Sequence, residues 1–158
     1  MPYCVISGFR IAGRIGPGSR RLAIDPRRLD IPDGPYVVSG QLTPADGSAP
    51  STQARSLIVN RTLARLRLRA VAKPVRELDI GFGLVRPARI TVQVQDASGR
   101  TLRTLRSGRS YGRGPQLVVW DRTLHRAPAP TGTYTIVVTA QNYLGRTGLS
   151  SSVGLTAP

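Results

Sequence analysis

One strand-loop-strand unit, residues 120–138, constrains the fold of this chain more than any other stretch. An apolar run ends at Trp120 and Asp121, a proline-rich loop follows, and Gly132 turns the chain into an alternating segment that begins at Tyr134. Glycine and proline clusters between β-branched runs indicate short strands joined by tight connections. A tyrosine just after such a turn can bury its ring between two sheets while its hydroxyl bonds the backbone across the corner. The unit therefore predicts the corner of a β-sandwich.

The same unit occurs a second time nearer the start of the chain. Asp25 ends an apolar run, a proline-containing loop follows, and Gly34 precedes Tyr36, which lies 98 positions before Tyr134 (134 minus 36). That spacing is close to the length of one immunoglobulin-like domain, so it predicts a tandem repeat. The front strands of the second copy have no counterpart in the first. We therefore expect a partial copy over 1–62, with rear strands only, and a complete copy over 63–158.

Composition and patterning predict an all-β chain. Glycine (17) and proline (13) punctuate short runs rich in Val, Ile, Leu and Thr, and no stretch has the period of a long helix. In the first strand of the complete copy, Leu66 and Leu68 alternate with Arg65, Arg67 and Arg69, which indicates one buried and one solvated side. A glycine-rich link is expected at 108–114. The candidate strands are 3–11, 21–25, 36–42 and 54–59 in the first copy, and 63–69, 77–85, 89–95, 101–105, 116–120, 134–140 and 149–155 in the second.

Several motifs of the second copy carry a family resemblance. They are Asp96-Ala97-Ser98-Gly99-Arg100, Val119-Trp120-Asp121, Pro130-Thr131-Gly132-Thr133-Tyr134 and Ala140-Gln141-Asn142. Together they resemble the immunoglobulin-like domain of flagellar hook-capping (FlgD-type) proteins, a module also similar to repeats of exported bacterial surface proteins and hydrolases. The chain departs from the family at Arg122, where a glycine usually follows Trp-Asp.

The resemblance implies an immunoglobulin-like or fibronectin-like β-sandwich with a non-catalytic role in structure, assembly or adhesion. It also implies an extracellular or cell-surface location, with neighbouring domains of a larger protein, or other proteins, as partners. The sequence itself shows no signal peptide and no apolar stretch that would span a membrane. The oligomeric state stays open.

The chemistry-bearing residues do not form a catalytic or metal-binding pattern. Cys4 is the single cysteine and His125 the single histidine, so no intrachain disulfide and no cysteine or histidine metal cluster can form. We interpret Cys4 as a buried small hydrophobe and His125 as a solvated loop residue. Asp25, Asp30 and Asp33 could offer oxygen ligands to calcium. The arginines nearby would repel a cation and can pair with these acids, so turn-forming and ion-pairing roles are favoured. The sequence thus predicts no enzyme, cofactor or metal.

The formal net charge of +15 raises a second functional hypothesis. The chain has 23 basic residues, of which Lys73 is the only lysine, against eight acidic ones. Such a surface attracts polyanions such as nucleic acid or anionic polysaccharide. A binding strip would form if two arginine groups lay on the same side of the sandwich, and a solvated outer face is the alternative. The two groups are Arg65, Arg67 and Arg69, and Arg100, Arg103 and Arg106.

Overall fold

The computed structural model describes residues 31–44, 46–71 and 77–156, and their regular structure consists of strands. The predicted strands 3–11 and 21–25, together with Cys4, Asp25 and Asp30, lie outside these residues. No helix in the described part of the chain has the length and apolar character needed to cross a membrane. The strands are β1 Gly34–Leu42, β2 Ser51–Val59, β3 Leu63–Val71, β4 Glu77–Leu84, β5 Ala88–Gln95, β6 Thr101–Tyr111, β7 Gly114–Trp120, β8 Thr123–Leu124, β9 Ala127–Pro128, β10 Gly132–Asn142 and β11 Gly145–Leu155.

Seven of these strands form two antiparallel sheets that enclose one apolar core. The first sheet has the order β3-β4-β7 and the second the order β11-β10-β5-β6. Successive strands β4 and β5 belong to different sheets, and so do β6 and β7, so the chain crosses between the layers twice in this stretch. This is the layout of an immunoglobulin-like sandwich, and it confirms the predicted fold class.

The core follows the predicted alternation of the strands. Every second residue of β4, from Leu78 to Leu84, is buried, and β5 and β10 bury alternate residues in the same way. Because successive side chains of a strand point to opposite faces, one face of each sheet meets the other sheet and one meets solvent. The fully buried members of the core are Leu78, Ile80, Ile90, Val92, Val94, Val118, Trp120, Ile136 and Val138.

A bulge in β3 departs from the strict alternation. Leu66 and Leu68 pack against the core while Arg65, Arg67 and Arg69 are exposed, as predicted. Leu63 is buried, although strict alternation would place it on the same side of the strand as Arg65, Arg67 and Arg69. The register shifts between Ala64 and Arg67, and Arg65 takes a φ of +54°, which inserts one extra residue and reverses the facing of the strand.

The predicted glycine-rich link at 108–114 is wrong in extent. Strand β6 continues through Gly108 to Tyr111, so only Gly112 and Arg113 separate it from β7. Gly108 has a φ of +59°, and the pairing of β6 with β5 shifts register three times. Glycine here allows the irregular pairing of a long edge strand rather than ending it. The Tyr111 ring then meets Phe82 edge to face.

Within the described residues, strands β1 and β2 form a two-stranded sheet of their own. They pair antiparallel from Gly34 opposite Val59 to Leu42 opposite Ser51. Residues 60–62 connect this hairpin to β3. The hairpin has the same plan as β10–β11, in which Gly132 lies opposite Leu155 and the tyrosine again follows the glycine by two positions. Two paired strands alone are marginally stable in water, so contacts outside the strand pair, including those of the connecting residues, add to the stability of the hairpin.

Candidate functional site

The predicted corner of the sandwich is held by hydrogen bonds and an aromatic contact. The Tyr134 hydroxyl donates to the Pro130 carbonyl oxygen at 2.8 Å. Its ring meets Trp120 edge to face, with centroids 5.6 Å apart. The fully buried Trp120 donates its indole N–H to the Thr123 carbonyl oxygen at 3.0 Å. Trp120 and Tyr134 belong to different sheets, so this satisfied aromatic pair joins the two layers.

Asp121 organises the loop that follows Trp120. Its carboxylate accepts hydrogen bonds from the Thr123 N–H at 3.0 Å and from the Thr123 hydroxyl at 2.8 Å. Arg103, on the other sheet, ion-pairs with the same carboxylate and donates to the Thr123 carbonyl oxygen at 2.7 Å. Burial alone would raise the pKa of Asp121, but the hydrogen bonds and charge of Arg103 and the bonds of Thr123 together lower it. Asp121 is therefore a turn residue that Arg103 holds from across the sandwich.

A tight turn carries the single histidine. His125 and Arg126 connect β8 to β9, and their φ values are +49° and +70°. Two successive positive φ values are the signature of a type I′ hairpin turn. His125 is exposed at its tip, where the sequence placed it in a solvated loop.

The backbone conformation of Arg122 explains why the FlgD-type family usually has glycine at this position. Arg122 has a φ of +52°, in the left-handed region that glycine adopts without steric cost. Its guanidinium donates to the Glu77 carbonyl oxygen at 3.1 Å, and its own carbonyl oxygen accepts the Ala129 N–H at 2.7 Å. These bonds hold an arginine in a conformation that is strained for it.

We therefore expect Arg122→Gly to be more stable than Arg122→Ala by about 1 kcal/mol, because both lose the bond to Glu77 and only alanine keeps the backbone strain. Urea unfolding of the two variants measures the difference. The matched control is Arg113, an exposed turn residue whose φ is not positive. There glycine should be no more stable than alanine. Equal stabilities of the two Arg122 variants would contradict the strain argument.

The hairpin β1–β2 contains a second tyrosine corner with the same hydrogen bond. The Tyr36 hydroxyl donates to the Pro32 carbonyl oxygen at 2.7 Å, four residues back, as Tyr134 does to Pro130. A Cβ added at Gly34 would lie 4.0 Å from Cε2 of the Tyr36 ring, and one added at Gly132 would meet its own tyrosine at the same distance. The two units thus share their local geometry as well as their sequence pattern.

Asp33, in the turn before Tyr36, is a buried carboxylate that ion-pairs with two partly exposed arginines. Its carboxylate accepts the Arg61 Nε–H at 2.7 Å and the Arg61 backbone N–H at 3.1 Å, and Arg86 approaches it at 3.0 Å. The Asp33 side chain is only 4% exposed, whereas those of Arg61 and Arg86 are 40% and 26% exposed. Burial alone would raise the pKa of Asp33, but the bonds from Arg61 and the charges of both arginines together lower it.

The Asp33 cluster was only partly foreseen. The sequence favoured ion pairing for Asp33, which is confirmed, but with arginines close in sequence. The observed partners are Arg61, which is 28 positions away, and Arg86, in the turn between β4 and β5. The many arginines of the sequence indicate that Asp33 has an arginine partner, but they do not identify which arginine it is.

Residues 60–62 are also bonded to the sandwich. Thr62 is fully buried; its hydroxyl accepts the Asn142 side-chain N–H at 2.7 Å, and its carbonyl oxygen accepts the Val85 N–H at 2.9 Å. The Asn60 side chain donates to the Gly145 carbonyl oxygen at 3.3 Å. Each of the three connecting residues therefore has a side chain bonded to the hairpin or to the sandwich, unlike a solvated linker.

The two arginine groups of the hypothetical polyanion strip do not come together. Arg65, Arg67 and Arg69 lie on β3, which packs beside β11. The second group lies just before or on β6, which is at the opposite end of the sheet order and packs beside β7. Strands β10 and β5 separate β11 from β6, so a single strip is not formed. The location of each group follows from strand order, which residue spacing does not reveal.

The second arginine group also has partners within the protein. Arg100 ion-pairs with Asp96 at 3.3 Å, and Arg103 is held by Asp121 and Thr123. Arg106 donates to the Leu105 carbonyl oxygen at 2.7 Å, and its Nε is buried without a partner among the described residues. Within those same residues, no three His, Cys, Asp or Glu side chains lie close enough to hold a metal ion.

Two stacked antiparallel sheets, a tyrosine corner and a cross-layer tryptophan define an immunoglobulin-like module in which these residues serve packing. Residues 72–143 match a family model described as the FlgD Ig-like domain. This part of the chain is therefore a FlgD-type immunoglobulin-like domain, which confirms the resemblance read from the motifs. The family is a structural one and not an enzyme family. No curated protein matched the chain.

Proposed function

We propose that this chain is a non-catalytic module that holds neighbouring domains in a fixed arrangement within an exported bacterial surface or flagellar-hook-type protein. The observation that carries the proposal is the Asp33 cluster. One carboxylate from the β1–β2 hairpin is buried between Arg61 of the connection and Arg86 of the sandwich. A module that only spanned a distance between domains would have a solvated, flexible connection instead.

The proposal treats the hairpin as the rear of a preceding copy of the same domain. Its corner bond, its glycine-tyrosine spacing and its strand pairing all match those of β10–β11. In tandem arrays of such domains, stability comes from each unit plus the contact with its neighbour. The bonds of Asn60, Arg61 and Thr62 would then be the contact between successive units.

The family of the sandwich supports a role without catalysis and an exported or surface location. FlgD-type domains are structural, and the large side chains of the corner, Trp120 and Tyr134, are used for packing. We infer that the protein acts in assembly or adhesion, with other domains or proteins as its partners.

Backbone ¹⁵N relaxation tests whether the two units move as one body. We expect amides of β1–β2 and of β10–β11 to report the same rotational correlation time, since the connection is bonded on both sides. An insertion of Gly-Gly-Ser between Arg61 and Thr62 provides the decoupled control, in which the hairpin should tumble faster. Independent tumbling of the hairpin in the native chain would contradict the proposed fixed arrangement.

Polyanion binding is the second candidate, and the net charge of +15 is the observation that favours it. With the arginines on separate edges, each group would have to bind alone. Titration with a heparin fragment at low and high salt tests this function, because binding through released counterions must weaken steeply as salt rises. Absence of binding at low salt would remove the candidate.

A further inference from the structure

We propose that one end of the β11-β10-β5-β6 sheet binds a saccharide that carries a carboxylate. The site is centred on Gln141 of β10, with Arg89 of β5 and Arg146 of β11 on either side of it, and Tyr143 lies in the turn between β10 and β11. This site goes beyond the proposed spacer role, because it lies on the sandwich itself. It also contains no residue of the two arginine groups of the polyanion strip.

Strand pairing places two arginines and one glutamine in a row across this sheet. Gln141 pairs with Arg89 on one side and with Arg146 on the other, so the three side chains share a face. That face is the outer one, since the neighbouring Ala140 belongs to the core. The strands on either side of β10 lie about 10 Å apart, so two guanidinium groups on long side chains can reach one ligand between them.

Two shallow concavities adjoin at this row. The smaller, of about 250 Å³, is lined by Thr91 and Thr139 and by the three residues of the row. The larger, of about 470 Å³, shares Arg89 and Gln141 with it and extends to Tyr143. The larger volume lies within the range of small-molecule sites, about 300–1,000 Å³. The site therefore combines hydroxyl, amide and guanidinium groups with an aromatic side chain.

Tyr143 is presented to solvent by a turn that is held in place. Its side chain is 84% exposed, more than any other large apolar side chain among the described residues. The buried Leu144 donates its N–H to the Asn142 side-chain oxygen at 2.9 Å, and the Asn142 amide donates to the Thr62 hydroxyl at 2.7 Å. The β1–β2 hairpin has no aromatic residue between its strands, so the hairpin plan itself does not require one. An exposed ring on an anchored turn is typical of a preorganised contact.

Charge identifies the ligand as an anion of low charge. No Asp or Glu occurs in the four strands of this sheet, and neither Arg89 nor Arg146 has an ion pair with an acidic side chain among the described residues. Asp96 follows β5 at its far end, and the buried Asp33 already has two arginine partners. A ligand with one carboxylate among neutral groups complements this pattern. Beyond the row, the outward residues of β5 and β10 are uncharged, and they are Thr91, Gln93, Gln95, Thr135, Val137 and Thr139.

The pattern favours a saccharide over a nucleic acid or a peptide. A single-stranded nucleic acid needs a basic groove that follows its phosphates, and here the charge ends after one row. A peptide needs partners for its backbone, but β5 and β10 are already hydrogen-bonded to a strand on each side. Sugar hydroxyls match the hydroxyls of Thr91 and Thr139 and the Gln141 amide. The C–H face of a sugar ring can lie on the Tyr143 ring, because the π face of an aromatic ring is negative.

NMR titration of the ¹⁵N-labelled chain with trigalacturonic acid tests the proposal. We expect shift changes at residues 89–91 and 139–146 and none in β3 or β7. The fully methyl-esterified trimer keeps the sugar rings and loses the charge, so it should bind about fivefold more weakly. A trimer of mannuronic acid is the second probe, because its ring hydroxyls differ in orientation.

Two variants separate the aromatic contact from the charge. Tyr143→Ala should weaken the Kd of the better-bound acid about fivefold and keep the preference for the acid over its methyl ester. The double variant Arg89→Gln/Arg146→Gln should weaken the Kd by about the same factor and abolish that preference. The matched control Arg67→Gln/Arg69→Gln removes the same charge from the other sheet and should leave the Kd within about twofold.

Several outcomes would overturn the proposal. They are binding of neither acid at about 10 mM, equal affinity for the acid and its methyl ester, unchanged binding by Tyr143→Ala, and an equal loss of affinity in the Arg67→Gln/Arg69→Gln control. An oligothymidylate that binds the same residues more tightly than either acid would assign the surface to nucleic acid instead. Dispersed amide spectra of all variants show that the fold is retained. None of these readouts depends on how the β1–β2 hairpin tumbles, so this proposal and the proposed function fail separately.

Discussion

Replacing Trp120 by alanine is expected to lower the free energy of unfolding of the sandwich by about 3–5 kcal/mol. Trp120 is fully buried, contacts Tyr134 across the two layers and satisfies its indole N–H on Thr123. Alanine removes the packing of both sheets and leaves a cavity that the surrounding strands can fill only in part. Since a domain of this size is stable by only about 5–15 kcal/mol, the variant should be close to unfolding.

Urea unfolding followed by far-ultraviolet circular dichroism measures this effect, because Trp120 is the only tryptophan and its fluorescence is lost with it. Val119→Ala is the matched control on the same strand, where the side chain points outward and the loss should be below about 1 kcal/mol. If Trp120→Ala cost no more than the Val119 control, the tryptophan would not be the link between the layers that the structure indicates.

Replacing Asp33 by asparagine is expected to weaken the attachment of the β1–β2 hairpin by about 1–2 kcal/mol. The substitution keeps the shape of the side chain but removes the charge that Arg61 and Arg86 share. The loss is small because the Arg61 side chain is 40% exposed and solvent screens part of the interaction. In hydrogen exchange, amides of β1 and β2 should lose about five- to thirtyfold in protection, while those of β10 stay unchanged.

Two controls separate the ion pair from a general change in charge. Asp46→Asn alters an exposed aspartate in the turn of the same hairpin, keeps the oxygen that accepts the Ser48 N–H, and should leave protection unchanged. In a double-mutant cycle, Arg86→Gln should cost less in the Asp33→Asn background than in the native chain. Additive effects would show that Asp33 and Arg86 do not stabilise the connection together.

The attachment should also weaken in acid. The pKa of Asp33 is lower in the folded protein than its ordinary value of 3.8. A lowered pKa means that the stabilisation is fully present above the ordinary value and is lost as pH falls through the folded one. Hairpin protection should therefore be constant between about pH 7 and pH 5 and fall below about pH 4. A loss centred near pH 6 would implicate another group.

Much of the sandwich was predictable because its signals are local. Alternation in β4, β5 and β10 reports which side chains face the core, and the glycine-tyrosine spacing reports the corner. These patterns depend on the two-residue period of a strand and on turn chemistry, both of which act over a few residues. The bulge at Arg65 and the continuation of β6 past Gly108 were missed, since both depend on how a strand fits its neighbour.

The interaction sites were less predictable, because they depend on strand order. Arg65 and Arg103 lie on strands at opposite edges of the sandwich, although each belongs to a dense group of arginines in the sequence. Leu117 and Arg67 share a face only because both pair with Gly81 on the strand between them. No spacing within the sequence encodes these relations, since they follow from pairing between distant segments.

The sequence by itself determined the all-β class, the seven strands of the sandwich, the corner at Tyr134 and the FlgD-type resemblance. The tertiary structure alone decided the partners of Asp33 and the separation of the arginine groups. The physical reason is the separation along the chain of the residues that determine each feature. Side-chain period and turn conformation are fixed by neighbours along the chain, whereas ion pairs and surfaces are fixed by which strands the closed sandwich brings side by side.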